Sequence, residues 1–209
     1  FPSTNSMSGF LLREGDVSQS DLRNIEKYFV SKGAKESYGD VTDFTNFWRG
    51  KNLTSFPLID TSSGTNFYAA WFNNSLTSFP LIDTSNGTNF NYAWQSNNLT
   101  SFPLIDTSSG TNFEGAWQNN SLTSFPLINT SNGTNFYAAW RNNNLTSFPL
   151  IDTSNGTDFS YAWRNNSSLA DFPANMFDNC LCTKFILAFI DTNLTQQSID
   201  NILISIASN

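Results

Sequence analysis

Residues 53–75 read LTSFPLIDTSSGTNFYAAWFNNS, and this stretch recurs along the chain with a step of 23 residues. Trp48, Trp71, Trp94, Trp117, Trp140 and Trp163 keep the step and account for all 6 Trp of the chain. Leu53, Leu76, Leu99, Leu122 and Leu145 keep it too, as do the Phe-Pro pairs from Phe56-Pro57 to Phe148-Pro149. A longer last unit spans residues 169–193, with Ala188-Phe189 in the Ala-Trp slot. A fixed period of this size marks a repeat architecture, in which no unit buries its apolar face alone.

The period is too long for a hexapeptide coil and too short for a two-helix repeat. The fold it predicts is a leucine-rich-repeat-like solenoid, with a short parallel β-strand and a short helical or 3₁₀ turn in each 23-residue coil and a helix near each end. Leu53-x-x-Phe56-x-Leu58 supplies the strand, whose alternate side chains point inward. Asp60-Thr61-Ser62-Ser63-Gly64 is a turn, with Asp bonding its own downstream backbone and Gly supplying a positive φ. Phe67, Ala70 and Trp71, at i, i+3 and i+4, give one inward-facing helical turn. Leu53, Phe56, Leu58, Ile59, Phe67, Ala70 and Trp71 are thus the expected core of the first full unit.

The organisation expected is an N-terminal segment over 1–40, repeats over 41–193 and a C-terminal helix within 194–209. Ser18 to Asp21 opens a helix at about 18–32, with Leu22, Ile25 and Phe29 on one face and Gly33 as its stop. Thr195 to Ser198 opens the second, with Ile199, Ile202, Leu203 and Ile206 on one face. Both read as caps of the open core. The likeness of SQSDLRNI to TQQSIDNI leaves a second repeat type as the rival reading.

Composition narrows the chemistry. The 209 residues carry a net charge of −7 and no His. No Ser-His-Asp or Cys-His nucleophile, no His-containing zinc site and no imidazole acid or base can be built. The charge opposes nucleic-acid backbones and anionic membrane surfaces. The longest apolar run, from Phe185 to Ile190, is far too short to span a bilayer. The first residue, Phe1, suggests a processed product or part of something longer. Cys180 and Cys182 read as free, partly buried thiols, since a bridge between i and i+2 is strained.

Several columns of identical residues follow from the repeat. Asp60, Asp83, Asp106 and Asp152 form a carboxylate ladder that invites calcium, but Asn129 keeps the turn bond without the charge and favours Asx-turns. Asn74, Asn97, Asn120, Asn143 and Asn166 suit hydrogen bonds between coils. The sequons at Asn52, Asn86, Asn98 and Asn144 arise from the repeat itself and are weak signs of glycosylation. Thr54, Thr77, Thr100, Thr123 and Thr146 make a column of the kind that ice-binding solenoids show, although no T-x-T pair presents two rows.

Positions that vary between repeats are poor candidates for the core. After each T-x-F they read Tyr68-Ala69, Asn91-Tyr92, Glu114-Gly115, Tyr137-Ala138 and Ser160-Tyr161. After each Trp they read Arg49, Phe72, Gln95, Gln118, Arg141 and Arg164. The candidate binding residues are therefore Tyr68, Phe72, Asn91, Tyr92, Gln95, Glu114, Gln118, Tyr137, Arg141, Ser160, Tyr161 and Arg164, a mixture rich in the side chains that dominate interfaces.

LTSFPLIDTSNGTNFYAAW followed by N-N-x-L-T-S resembles the BspA-like leucine-rich repeats and related bacterial and mycoplasmal surface-lipoprotein repeats. The likeness covers about residues 41 to 193 and lies in L-T-S, D-T-S-N, T-N and the terminal aromatic. The Phe-Pro and Ala-Trp form looks like repeats of marine cyanobacteria and their phages. Gly64, Gly87, Gly110, Gly133 and Gly156 replace an apolar residue of that pattern, Pro enters the strand, and Asn stands where Cys is usual. The resemblance implies a right-handed solenoid in an extracellular, cell-surface or virion-surface protein that binds proteins or glycans without catalysis. The function expected is adhesion or recognition of protein or glycan, with no cofactor, no metal, no nucleic acid and no membrane insertion. A structural subunit of a phage fibre or extracellular filament, contacting copies of itself, is the alternative, and an ice-binding solenoid the minor one.

Overall fold

The computed structural model describes residues 38–208. The chain divides into two units, Phe1–Ser37 and Tyr38–Asn209, of which the described residues belong to the second; the helix expected at about 18–32 lies outside them. The second unit corrects the expected fold class. Among the described residues there is one helix and no strand, so the chain is not a solenoid of β-strand and helical turn. Successive 23-residue units do lie on one another, joined by isolated parallel bridges from Asp43 to Asn66, then Asn89, Asn112, Asn135, Asp158 and Lys184.

The strand fails at proline. Ile82 N–H donates to the carbonyl of Pro80 at 3.0 Å, and Ile105, Ile128 and Ile151 do the same to Pro103, Pro126 and Pro149. This i to i+2 turn has Leu at its apex, and Pro has no N–H for a ladder. Leu81, Leu104, Leu127 and Leu150 are consequently exposed, and Leu58 is 74% exposed as well, while Ile59, Ile82, Ile105, Ile128 and Ile151 are buried. Leu58 thus leaves the expected core, in which Ile59 stays.

The helical turn is replaced by alternating handedness. Ala69 and Asn73 have φ of 50° and 56°, and their equivalents along the chain repeat this. Phe67, Ala69, Trp71 and Asn73 each donate to the next unit, at Asn89, Asn91, Ala93 and Gln95, over 2.8 to 2.9 Å. Ala70 and Phe72 turn back to Phe67 and Ala69 at 3.1 and 3.2 Å. A left-handed non-Gly residue costs roughly 1 to 2 kcal/mol; here each one turns a peptide group along the stack, where it finds a partner in the next unit.

Phe67, Ala70 and Trp71 still face inward, fully buried as their spacing predicted. Three aromatic ladders fill the interior. Phe67 and Phe90 stack at 5.5 Å and 1°, Trp71 and Trp94 at 5.5 Å and 5°, and Phe56 and Phe79 at 5.7 Å and 9°. Phe189 takes the tryptophan slot, 5.1 Å from Trp163. Offset stacks of this kind add about 0.5 to 1.5 kcal/mol per pair beyond burial.

Gly64 has no positive φ, contrary to expectation. A Cβ there falls 2.5 Å from Phe67 Cζ and 2.8 Å from Phe44 Cε2, so the glycine makes room for the phenylalanine ladder. The aspartate column forms the expected Asx-turns. Ser62 N–H donates to Asp60 at 3.1 Å and Ser108 N–H to Asp106 at 2.9 Å, and Asn129 receives Ser131 N–H in the same way at 3.0 Å.

Helix α1 spans Gln196–Ala207, with Thr195 as its N-cap. Its docking face is rotated from the one its apolar spacing predicted, keeping Ile202 and Ile206 against the core. Ser198, Ile202 and Ser205 are buried, whereas Ile199 and Leu203 are exposed. The last unit has no successor on that side, and α1 supplies acceptors for its backbone. Phe172 N–H donates to Ser198 Oγ at 3.0 Å and Phe177 N–H to Ser205 Oγ at 2.8 Å.

Candidate recognition edge

The wall of alternating handedness sends Phe, Ala and Trp inward, so the residues between them face out. Tyr68, Phe72, Asn91, Tyr92, Gln95, Glu114, Gln118, Arg141, Tyr161 and Arg164 are all partly exposed there, and Tyr137 is 37% exposed. Ser160 is the exception. It is only 3% exposed and is no part of the surface.

Two clusters form along this edge. In the first, the Tyr92 hydroxyl donates to Glu114 Oε1. Gly115 makes this reach feasible, because a Cβ at its position lies 2.6 Å from Tyr92 Cδ1. Asn135 Nδ2 donates to Glu114 Oε2 at 3.2 Å. Burial and the neighbouring Glu114 carboxylate hold the Tyr92 phenol well above its ordinary pKa. Tyr68 meets Tyr92 edge-on at 6.1 Å, and Gln95 donates to Gln118 at 2.6 Å.

In the second cluster Tyr137 and Tyr161 meet edge-on at 5.4 Å. The guanidinium groups of Arg141 and Arg164 both lie over the Tyr161 ring, 5.9 and 5.7 Å from its centroid. Phe72 stands apart from both clusters, beneath Arg49 at 4.7 Å.

A cleft of about 340 Å³ adjoins both clusters, lined by Glu114, Asn135, Tyr137, Thr157, Asp158 and Lys184. Lys184 Nζ lies 3.5 Å from Asp158. Four of these residues escaped the reading of variable positions. Asn135, Thr157 and Asp158 belong to the constant T-N-F motif, and Lys184 lies in the longer last unit, 26 residues after Asp158 rather than 23. The one available signal was Asp158 itself, which replaces the Asn found at residues 66, 89, 112 and 135.

Cys180 and Cys182 are free thiols. The Cys182 thiol is pushed up in pKa by its hydrogen bond with Cys180 and by burial. Among the described residues no group of three or more acidic or sulfur ligands is placed to hold a metal ion, and no helix is long and apolar enough to cross a membrane. Comparison with protein-family models, with curated proteins and with solved structures finds no match for the chain.

Proposed function

We propose that this chain is a non-catalytic recognition module, displayed extracellularly on a cell or virion surface, that binds a protein or glycan through the outer edge of its stacked units. The observation that carries this reading is the Tyr137, Tyr161, Arg141 and Arg164 cluster, which gathers exposed aromatic surface and two guanidinium groups on one rigid wall. Such groups are over-represented where binding energy concentrates. The wall loses little entropy on binding, because its backbone is tied to the next unit through four hydrogen bonds per repeat. The resemblance to BspA-like surface repeats supports the same reading. Alanine replacement of Tyr92, Arg141 and Tyr161 together is expected to abolish binding to glycan arrays or surface-protein extracts while leaving the thermal midpoint within a few degrees. Undiminished binding of an identified partner by that variant rejects the edge.

A filament subunit is the second reading, favoured by one observation. In the last unit the N–H groups of Phe185, Leu187, Phe189 and Asp191 have no acceptor among the described residues, although their equivalents in every earlier unit donate onward. An exposed row of donors is a template for pairing with another chain. Electron microscopy of the purified chain separates the readings: regular head-to-tail fibres favour this one, and discrete monomers at high concentration the first.

A further inference from the structure

Arg141 and Arg164 occupy equivalent places in adjacent units of an acidic chain. Among the described residues neither guanidinium donates a hydrogen bond or meets a carboxylate. The one ion pair there is between Lys184 and Asp158, and Glu114 is engaged by Tyr92 and Asn135 instead. The Nε atoms of both arginines are buried and without an acceptor. Arg49, at the corresponding position, differs: it donates to Asn46 at 3.2 Å as well as lying over Phe72.

With Nε turned inward, the terminal nitrogens are the donors left to solvent, and contact with Tyr161 restrains both side chains in advance. Two planar cations from adjacent units, both held against one ring and without an internal anion, can offer a carboxylate or sulfate charge-assisted bonds. Beside them, reached through Tyr137, lies the cleft whose carboxylates, amide, hydroxyls and ammonium suit a ligand rich in hydroxyl groups. Glu114 and Asp158 oppose a densely anionic strand there, so the charge belongs on the arginines and the neutral ring in the cleft.

We infer that Arg141 and Arg164 form the anion subsite for an acidic saccharide, whose carboxylate or sulfate sits on the two guanidinium groups while a neighbouring neutral sugar occupies the cleft at Glu114, Asn135 and Asp158. The inference rests on the recognition reading above and names its ligand class.

Isothermal titration of the full chain tests it. Hyaluronan oligosaccharides serve as the carboxylate probe, carrageenan oligosaccharides as the sulfate probe, and dextran oligosaccharides and polyglutamate as neutral and peptide controls. Binding of at least one acidic saccharide is expected, weakening with added salt. Arg141→Gln or Arg164→Gln is expected to reduce it roughly ten- to hundredfold, with an unchanged melting curve, and Arg164→Lys to restore only part of it because the planar fork is lost. The response of the two saccharide probes identifies the anion.

The inference is overturned if neither acidic saccharide binds, if the double Gln variant binds them as the parent does, or if polyglutamate binds with the same arginine dependence. The two readings fail separately. A partner that still binds the double Gln variant through Tyr92 leaves the recognition edge standing and removes the anion subsite. Loss of nothing on replacing the whole edge removes both.

Discussion

Asn120 donates through Nδ2 to the carbonyl of Trp94, 26 residues earlier, at 2.9 Å. The same amide donates to Trp117 O at 3.1 Å and accepts from Leu99 N–H at 3.1 Å. One side chain thus satisfies buried backbone groups of its own unit and of the unit before it. Asn74, Asn97, Asn143 and Asn166 repeat the pattern.

Replacing Asn120 with Leu is expected to cost about 1 to 3 kcal/mol, since the buried Leu99 N–H loses its acceptor, while the carbonyls of Trp94 and Trp117 each keep a second donor, Asn97 and Asn143. Asn120→Asp keeps the acceptor for Leu99 but sets a carboxylate against two carbonyls, so its folded pKa is raised. The folded state of that variant is then best supported below the unfolded carboxylate pKa of about 4, and the support is lost as pH rises through the folded value. Urea unfolding of Asn120→Asp at pH 3.5 and pH 7, each compared with the parent, checks both sign and size; equal deficits at the two pH values count against the assignment.

The inversion of Leu and Ile after proline gives a paired test. Leu104→Ser is expected to change stability by less than about 0.5 kcal/mol, as exposed substitutions do. Ile105→Ser removes a buried side chain and inserts a hydroxyl, at a cost of about 3 kcal/mol or more. Had the alternating strand formed, the order would be reversed. Thermal melts of the two variants decide it.

Gly110 lies against the ladder: a Cβ there sits 2.4 Å from Phe113 Cζ and 3.0 Å from the Thr107 carbonyl. Gly110→Ala is expected to destabilise by about 1 to 3 kcal/mol through overpacking. The double variant Gly110→Ala with Phe113→Leu is expected to recover part of the loss, because the offending ring is gone. A double-mutant cycle by chemical denaturation measures the coupling, and strict additivity contradicts the contact.

Burial and the Glu114 carboxylate raise the Tyr92 phenol above its ordinary pKa. Its protonated form is favoured in the folded state, so the interaction is intact below the ordinary phenol pKa of about 10 and is lost as pH rises toward the folded value. Absorbance titration of the parent against Glu114→Gln reads this directly, with the phenol of the variant titrating at lower pH once the carboxylate is removed. No shift between the two places the hydrogen bond elsewhere.

Much of this arrangement is legible in the period. Phe67, Ala70 and Trp71 are assigned inward from their spacing, Asn120 as a bond between units, and Asp106 and Asn129 as turn formers. These assignments need only that identical residues recur in register and that buried polar groups find partners. Leu58 and Gly64 are misread for a shared reason: a local rule, strand alternation in one case and glycine's conformational freedom in the other, gives way to what lies beside the residue. Asp158 and Lys184 meet only because the longer last unit returns to the stack, a closeness no spacing announces.

The order of residues along the chain therefore establishes that repeats must stack and which rings fill the interior, because periodicity survives whatever the local backbone does. The conformation of each unit is settled between units. Ala69, Tyr92, Ala138 and Tyr161 enter the left-handed region where each peptide they turn finds a carbonyl in the following unit. The same turning carries Tyr161 outward beneath Arg141 and Arg164, so the candidate site follows from hydrogen bonding between units rather than from local propensity.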